Sequence, residues 1–324
     1  MSLLEERVVY KPFEYPKAYD YWLKQQQAHW LHTEVPMSQD VTDWKTNLKA
    51  HEKNVVGGIL KGFAQTETIV NDYWSTLVTK WFRKPEVIMM GTTLGSSETI
   101  HAEAYSLLNE QLGLDNFAEF MEDESTMAKI EALMDVRDSH EKPDWHQRAV
   151  SLAIFSAFTE GVNLFSSFAV LLSFKMRNLL KGVGQIVEWS VRDESLHSEA
   201  GCWLFRTLMK EHPEFKTPKL VADINDAAAN ALKLEFDFID KVFEMGDLEN
   251  LSKEELKNFI KHRVNTKMSD LGLAPLIPAE EIDKGALKTM KWFDAVIAGK
   301  QQTDFFANRV TNYSKGHLDW STAF

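Results

Sequence analysis

Apolar residues recur at intervals of three and four along almost the whole of this 324-residue chain, and no stretch alternates convincingly enough to make a strand. The periodicity predicts an all-α protein with helices near 15–33, 39–49, 52–82, 86–112, 114–133, 146–174, 176–208, 217–244, 252–271 and 286–300. Proline and glycine gather between them, as in HEKPDWH, EHPEFKTPK and LGLAPLIPAEE. There is no repeat, no low-complexity stretch and no linker, so residues 1–300 read as one helical domain. The helical pattern is lost from 301 onward, and 301–324 reads as a tail that orders on a partner.

A helical chain of this length with 44% hydrophobic residues has ample apolar surface for a core. The longest apolar run, roughly residues 150 to 174, is interrupted by Glu160 and Asn163, which suits a core helix better than a membrane span. Thirty-six basic residues against 48 acidic ones give a net charge of −12, a poor match to nucleic acid or an anionic membrane. The N-terminus lacks the pattern of a signal peptide, so a cytoplasmic protein is expected. Cys202 is the single cysteine: intrachain disulfides and cysteine-based zinc sites are excluded, and an inert buried thiol is expected.

Within the helical pattern, SSETIHAEAY (96–105) puts Glu98, His101 and Tyr105 on one helix face, and RDESLHSEAG (192–201) repeats the Glu-x-x-His spacing with Glu194 and His197. One such pair is commonly a solvated face. Two, in two long helices, are what a ferritin-like dimetal carboxylate bundle uses, together with one carboxylate from each of two further helices. Glu67 and Glu160 stand in the right order to supply them. Glu160 lies among Ile154, Phe155, Phe158, Val162, Leu164 and Phe165, where an unpaired carboxylate would be costly and a bound metal would remove the cost. Phe155, Phe158, Phe165 and Phe168 read as core packing that also keeps such a site dry. Four carboxylates and two imidazoles neutralise two divalent ions and favour iron or manganese over zinc, so the residues alone lead to a redox dimetal protein.

At these residues the chain resembles the small, radical-generating subunit of class I ribonucleotide reductase, over nearly its whole length. SETIH with a tyrosine four residues on, and RDE-x-LH, are that family's ligand helices. The resemblance implies a ferritin-like bundle with extra helices and a homodimer. It implies Glu67, Glu98 and His101 on one metal, Glu160, Glu194 and His197 on the other, with Glu98 bridging and Glu194 the second candidate bridge. It places Trp30, in QQAHWLHTEVP, at the start of a radical-transfer path, with Asp193 joining the Trp30 indole to the outer nitrogen of His101. Tyr313 in the tail would pass the oxidising equivalent to a cysteine of the catalytic large subunit, which the 301–324 tail would bind, for making deoxyribonucleotides. With the first ligand already at 67, no nucleotide-binding regulatory module is expected ahead of it.

Many family members have aspartate where this chain has Glu67. Together with the retained Tyr105, Glu67 is most similar to the dimanganese subgroup, in which a Mn(III)/Mn(IV) pair is the oxidant and the tyrosine is not the stored radical. Manganese–iron, and di-iron with a tyrosyl radical, are the alternatives, and a flavoprotein activator is a further partner this subgroup allows. The competing readings are another ferritin-like dimetal oxidase (desaturase, hydroxylase or ligand-binding oxidase) and a non-enzymatic metal-binding bundle. Neither needs Trp30, Asp193 and a tyrosine-bearing tail together.

Overall fold

The computed structural model describes residues 2–114, 124–138 and 144–297. Their regular structure is helical, with no strand among the described residues beyond one isolated bridge between Leu248 and Leu251. The helices are α1 (Pro16–Gln27), α2 (Ser38–Thr42), α3 (Ala50–Asp72), α4 (Thr79–Trp81), α5 (Pro85–Leu112), α6 (Glu124–Asp138), α7 (Trp145–Ala153), α8 (Phe165–Met176), α9 (Lys181–Glu211), α10 (Pro218–Val242), α11 (Lys253–Asp270), α12 (Lys284–Thr289) and α13 (Lys291–Ile297). Tyr313 and the 301–324 tail lie outside the described residues, as do 115–123 of the helix expected at 114–133.

Local sequence sets the ends of the long helices. Proline at the first position opens α5, and Gly113, at φ +70°, closes it in the left-handed region that a side chain disfavours. Asp144 caps α7 by accepting the Gln147 amide, and Ser252 and Glu255 form a capping box on α11. The start of α9 is capped from a distance: Asp40 accepts the Gly182 and Val183 amides, and Asp43 accepts that of Leu180. Residues 177–180 turn through positive φ at Asn178 and Leu180, so the helix expected from 176 begins at 181.

Two long helices are not regular. α3 runs into a π-helical stretch, Tyr73–Val78, and α7 into a longer one, Ile154–Asn163, before α8. A π turn spaces its hydrogen bonds one residue wider, which a run of apolar residues does not signal, and such turns favour functional positions. The expected helix 146–174 is therefore three segments, with Glu160 inside the wide one. The Trp145–Met176 stretch is long and apolar enough to cross a membrane, but 89% of its most apolar window is buried in the protein. It is the central core element.

α3, α5, the Ile154–Asn163 segment and α9 pack together at the centre, with α1 against α5, and α10 and α11 against the π-helical segment. Gly201 permits the closest approach: a Cβ there would collide with the Ser156 side chain. The expected helix 15–33 stops at Gln27, which frees the following loop to insert Trp30, only 5% exposed, into the core beside α9.

Candidate metal centre

Each central element delivers one part of an acidic cluster. α3 contributes Glu67, α5 Glu98 and His101, the π-helical segment Glu160, and α9 Glu194 and His197; all six are fully buried. Their donor atoms form two overlapping groups, Glu67, Glu98, His101 and Glu194, and Glu98, Glu160, Glu194 and His197, with the atoms of each group within 4.8 Å of one another. Glu98 and Glu194 belong to both. His101 Nδ1 lies 2.9 Å from Glu98 Oε2 and 2.9 Å from Glu194 Oε1. His197 Nδ1 lies 2.7 Å from Glu98 Oε1, yet neither atom has a hydrogen-bond partner of proper geometry. Both oxygens of Glu67 and of Glu194, and Oε2 of Glu160, are likewise buried without partners. Orphaned polar atoms of this kind cost about 1–3 kcal/mol each. Converging on common points with the donor set of two hard divalent ions, they fit a dimetal centre.

The electrostatics are those of groups held too close to ionise together. Burial, followed by the charges of Glu194 and Glu98, pushes the Glu67 carboxyl well above its ordinary range. Glu160 rises for the same reasons, and the Trp74 hydrogen bond pulls it partly back. Burial and Glu98 push Glu194 up to about 7, against the pull of the two histidines. At Glu98 burial is outweighed by His197 and His101, which bring it down to about 2. Burial also opposes a proton on His101, but Asp193, Glu194 and Glu98 together raise it well above the usual imidazole value.

The outer nitrogens of the histidines are held differently. His101 Nε2 lies 3.1 Å from Asp193 Oδ2, and the Trp30 indole N–H donates to that same oxygen at 2.8 Å. Trp30 is stacked on His101 and tilted against Trp189. The Trp30–Asp193–His101 arrangement expected from sequence is thus present. His197 Nε2 faces the Ser97 hydroxyl at 3.2 Å and Gln25 Oε1 at 3.3 Å. Tyr105 is fully buried next to Phe63, with ring centroids 4.7 Å apart. Its hydroxyl has no hydrogen-bond partner among the described residues, and burial and then Glu67's charge raise its pKa well above that of a free phenol. Cys202 is buried and its thiol is pushed up to about 12, as an inert core thiol would be.

Sequence reasoning missed Trp74, whose indole N–H donates to Glu160 Oε1 at 2.5 Å, and the pair Ser97 and Gln25. Trp74 stands two turns after Glu67 in the same helical pattern, and Ser97 immediately precedes Glu98, so both carried a positional signal. Gln25 carried none.

The family model for the ribonucleotide reductase small chain matches residues 7–284. The chain belongs to that family. A probable ribonucleoside-diphosphate reductase small subunit of Invertebrate iridescent virus 3 is 33% identical, over 99% of this chain and 88% of the relative. The fold is shared with the ribonucleotide reductase R2 subunit of Clostridium botulinum, with TM-score 0.82, 18% identity, and 92% and 94% of the two chains covered. It is also shared with the dimanganese(II)-NrdF of Streptococcus sanguinis, with TM-score 0.75, 22% identity, and 88% and 99% covered. The small chain is therefore a ferritin-like helical bundle and one subunit of an oxidoreductase, ribonucleoside-diphosphate reductase, which works with the large subunit.

Proposed function

We propose that Glu67, Glu98, His101, Glu160, Glu194 and His197 hold two divalent ions. On this reading the chain stores a one-electron oxidant and delivers it through Trp30 and Tyr313 to a cysteine of the large subunit. The observation that carries the reading is the convergence of those buried, unpartnered donor atoms beside the Trp30–Asp193–His101 arrangement. When bound, the ions supply the stored oxidising equivalent. The protein's own contribution is to orient and to place protons. Asp193 Oδ2 receives the Trp30 indole N–H and faces His101 Nε2, so the indole proton has an acceptor when Trp30 gives up an electron. Phe155, Phe158, Phe165 and Phe168, all buried, exclude water. Residues 301–324 would dock the large subunit, the chain would act as a homodimer in the cytoplasm, and a flavoprotein activator is a compatible partner.

Dimanganese is the metal content this reading favours. Glu67 with Tyr105 supports it, and so does the surroundings of the phenol. Burial, followed by Glu67's charge, raises the Tyr105 phenol well above its ordinary value, which disfavours loss of its proton. Electron paramagnetic resonance on activated protein, with its metals counted, tests the proposal. A multiline mixed-valent manganese signal proportional to nucleotide reduction with the large subunit is expected. A tyrosyl signal over two irons would overturn the metal assignment, and fewer than two ions per chain would overturn the dimetal reading.

A further inference from the structure

Arg263 on α11 is a cation whose hydrogen bond and nearest ring contact both lead to the chain around Glu160. Its Nε–H donates to the Gly161 carbonyl oxygen at 2.9 Å. Its guanidinium carbon lies 3.3 Å from the centre of the Phe165 ring, on the first residue of α8, and 5.7 Å from that of Phe259. Among the described residues Arg263 makes no ion pair: Asp294 and Asp270 act on it only as charges, and burial opposes its own. Taking a cation out of water without a paired carboxylate is costly. The Gly161 carbonyl and the face of Phe165 offset that cost.

Gly161 follows Glu160 directly and stands in the last turn of the π-helical stretch, Ile154–Asn163. The closing carbonyls of a helical stretch lack following amides and carry partial negative charge, so they take donors from cations. Asn163 is served in the same way by α6, where Lys129 Nζ lies 3.4 Å from its carbonyl oxygen. The approach at Gly161 depends on the missing side chain. A Cβ there would stand 2.7 Å from Lys267 Cδ and 2.8 Å from Ser198 Oγ, so α11 and α9 close on this backbone together. The Glu160 carboxylate itself is held at Oε1 by Trp74, and its Oε2 has no partner. Its direction is therefore set largely by the backbone that carries it. A slip of one residue in that backbone, from π to α register, would turn it by about 100° around the helix axis.

We propose that Arg263 is a positioning residue: by holding the Gly161 carbonyl it keeps Ile154–Asn163 in its π-helical register, and so aims Glu160 at the ion it shares with Glu98, Glu194 and His197. The proposal rests on the reading of the six residues as a dimetal centre. Glu67 and His101, on α3 and α5, complete the other group, so the effect of Arg263 falls on one ion of the two.

The full metal-free chain is titrated with Mn(II), with free Mn(II) read by electron paramagnetic resonance, and amide hydrogen exchange over residues 154–163 is followed without metal. Arg263→Met removes the donor and the charge while keeping the length. One of its two ions should bind about ten- to a hundred-fold more weakly, with the other unchanged. The 154–163 amides should exchange at least about ten-fold faster. Arg263→Lys, which keeps the charge but not the planar fork, should show a smaller loss at the same ion, and it stands in if the first variant folds poorly. The loss should combine less than additively with that of Trp74→Phe, because both act on Glu160. Two unchanged affinities or unchanged exchange would overturn the proposal. Equal weakening of both ions with exchange faster throughout the chain would also overturn it, since loosened packing alone gives that result. Fewer than two Mn(II) ions on the wild type would instead refute the dimetal reading itself.

Discussion

Loading the metal-free protein with two divalent ions should release at least one proton per chain at pH 7, and the structure says from where. Glu67 and Glu160 are held well above the normal carboxyl range by burial and by their charged neighbours, which favours their protonated forms without metal. His101 is held well above the normal imidazole range by Asp193, Glu194 and Glu98. A ligand must shed its proton to bind, so these three, and His197, which Glu98 also raises, all add to the count, and Glu194, near 7, adds about half a proton. Glu98, near 2, adds nothing because it is already ionised. Calorimetric titration with Mn(II) in buffers of different ionisation enthalpy counts the protons. The count should fall by close to one between pH 6 and pH 8, as Glu194 passes through its own titration. Stability of the metal-free protein follows the same linkage. Glu67, Glu160, Glu194 and His101 all have folded-state values above their unfolded ones, so their contribution is complete below the unfolded values and is lost as pH rises through the folded ones. For Glu194 the rise from 4.5 to about 7 corresponds to roughly 3 kcal/mol. The metal-free protein should therefore melt at lower temperature at pH 8 than at pH 5. Release of fewer than one proton per chain at pH 7 would mean that the carboxylates are ionised without metal, and the account of the cluster as protons standing in for cations would be wrong.

Three substitutions probe other contacts. Trp74→Phe removes the indole donor on Glu160, a hydrogen bond to a charged group worth about 1.5–3 kcal/mol. One of the two Mn(II) ions should bind about ten- to a hundred-fold more weakly, read from the free Mn(II) signal during titration; two unchanged affinities would show that the contact does not position Glu160. Trp30→Phe keeps the packing against His101 but loses the N–H to Asp193, so metal content should hold at two per chain while nucleotide reduction with the large subunit falls at least about a hundred-fold. Substantial residual activity would remove Trp30 from the transfer path. Gly201→Ala forces a methyl into Ser156, and overpacking of this kind costs about 1–3 kcal/mol. A lower melting temperature, partly restored by adding Ser156→Gly, is expected, and an unchanged one would mean that the two segments separate freely.

The helical class and the two Glu-x-x-His pairs were legible because both follow from spacing within a chain, while Glu67 and Glu160 were picked out by their order along it, and Glu160 also by its apolar surroundings. Glu-x-x-His is a local relation, and the periodicity of three and four is local too. The role of Asp193 was legible only through family resemblance, since its partners are 163 and 92 residues away. What stayed hidden depends on geometry that no local pattern encodes. The π-helical turns at Tyr73–Val78 and Ile154–Asn163 have the same apolar periodicity as the α-helices they interrupt. They bring Trp74 and Glu160 together across 86 residues. The end of α1 at Gln27 was missed because the polar run QQQAH continues to favour a helix, while the loop that follows is fixed by where Trp30 must go.

The partners of the acidic cluster divide its surroundings into two chemically distinct parts. The histidines are reached through hydrogen-bonding groups: Asp193 and Trp30 at His101, Ser97 and Gln25 at His197, supplied by α1, the loop after it, α5 and α9. Those contacts suit electron movement coupled to a proton, and they fix the imidazoles in place. The carboxylates are held differently: Glu160 Oε1 accepts the Trp74 indole N–H, while both oxygens of Glu67 and of Glu194 have no hydrogen-bond partner among the described residues. The burial that costs the fold these orphaned oxygens thus leaves them to cations, while the imidazoles are already committed through their outer nitrogens.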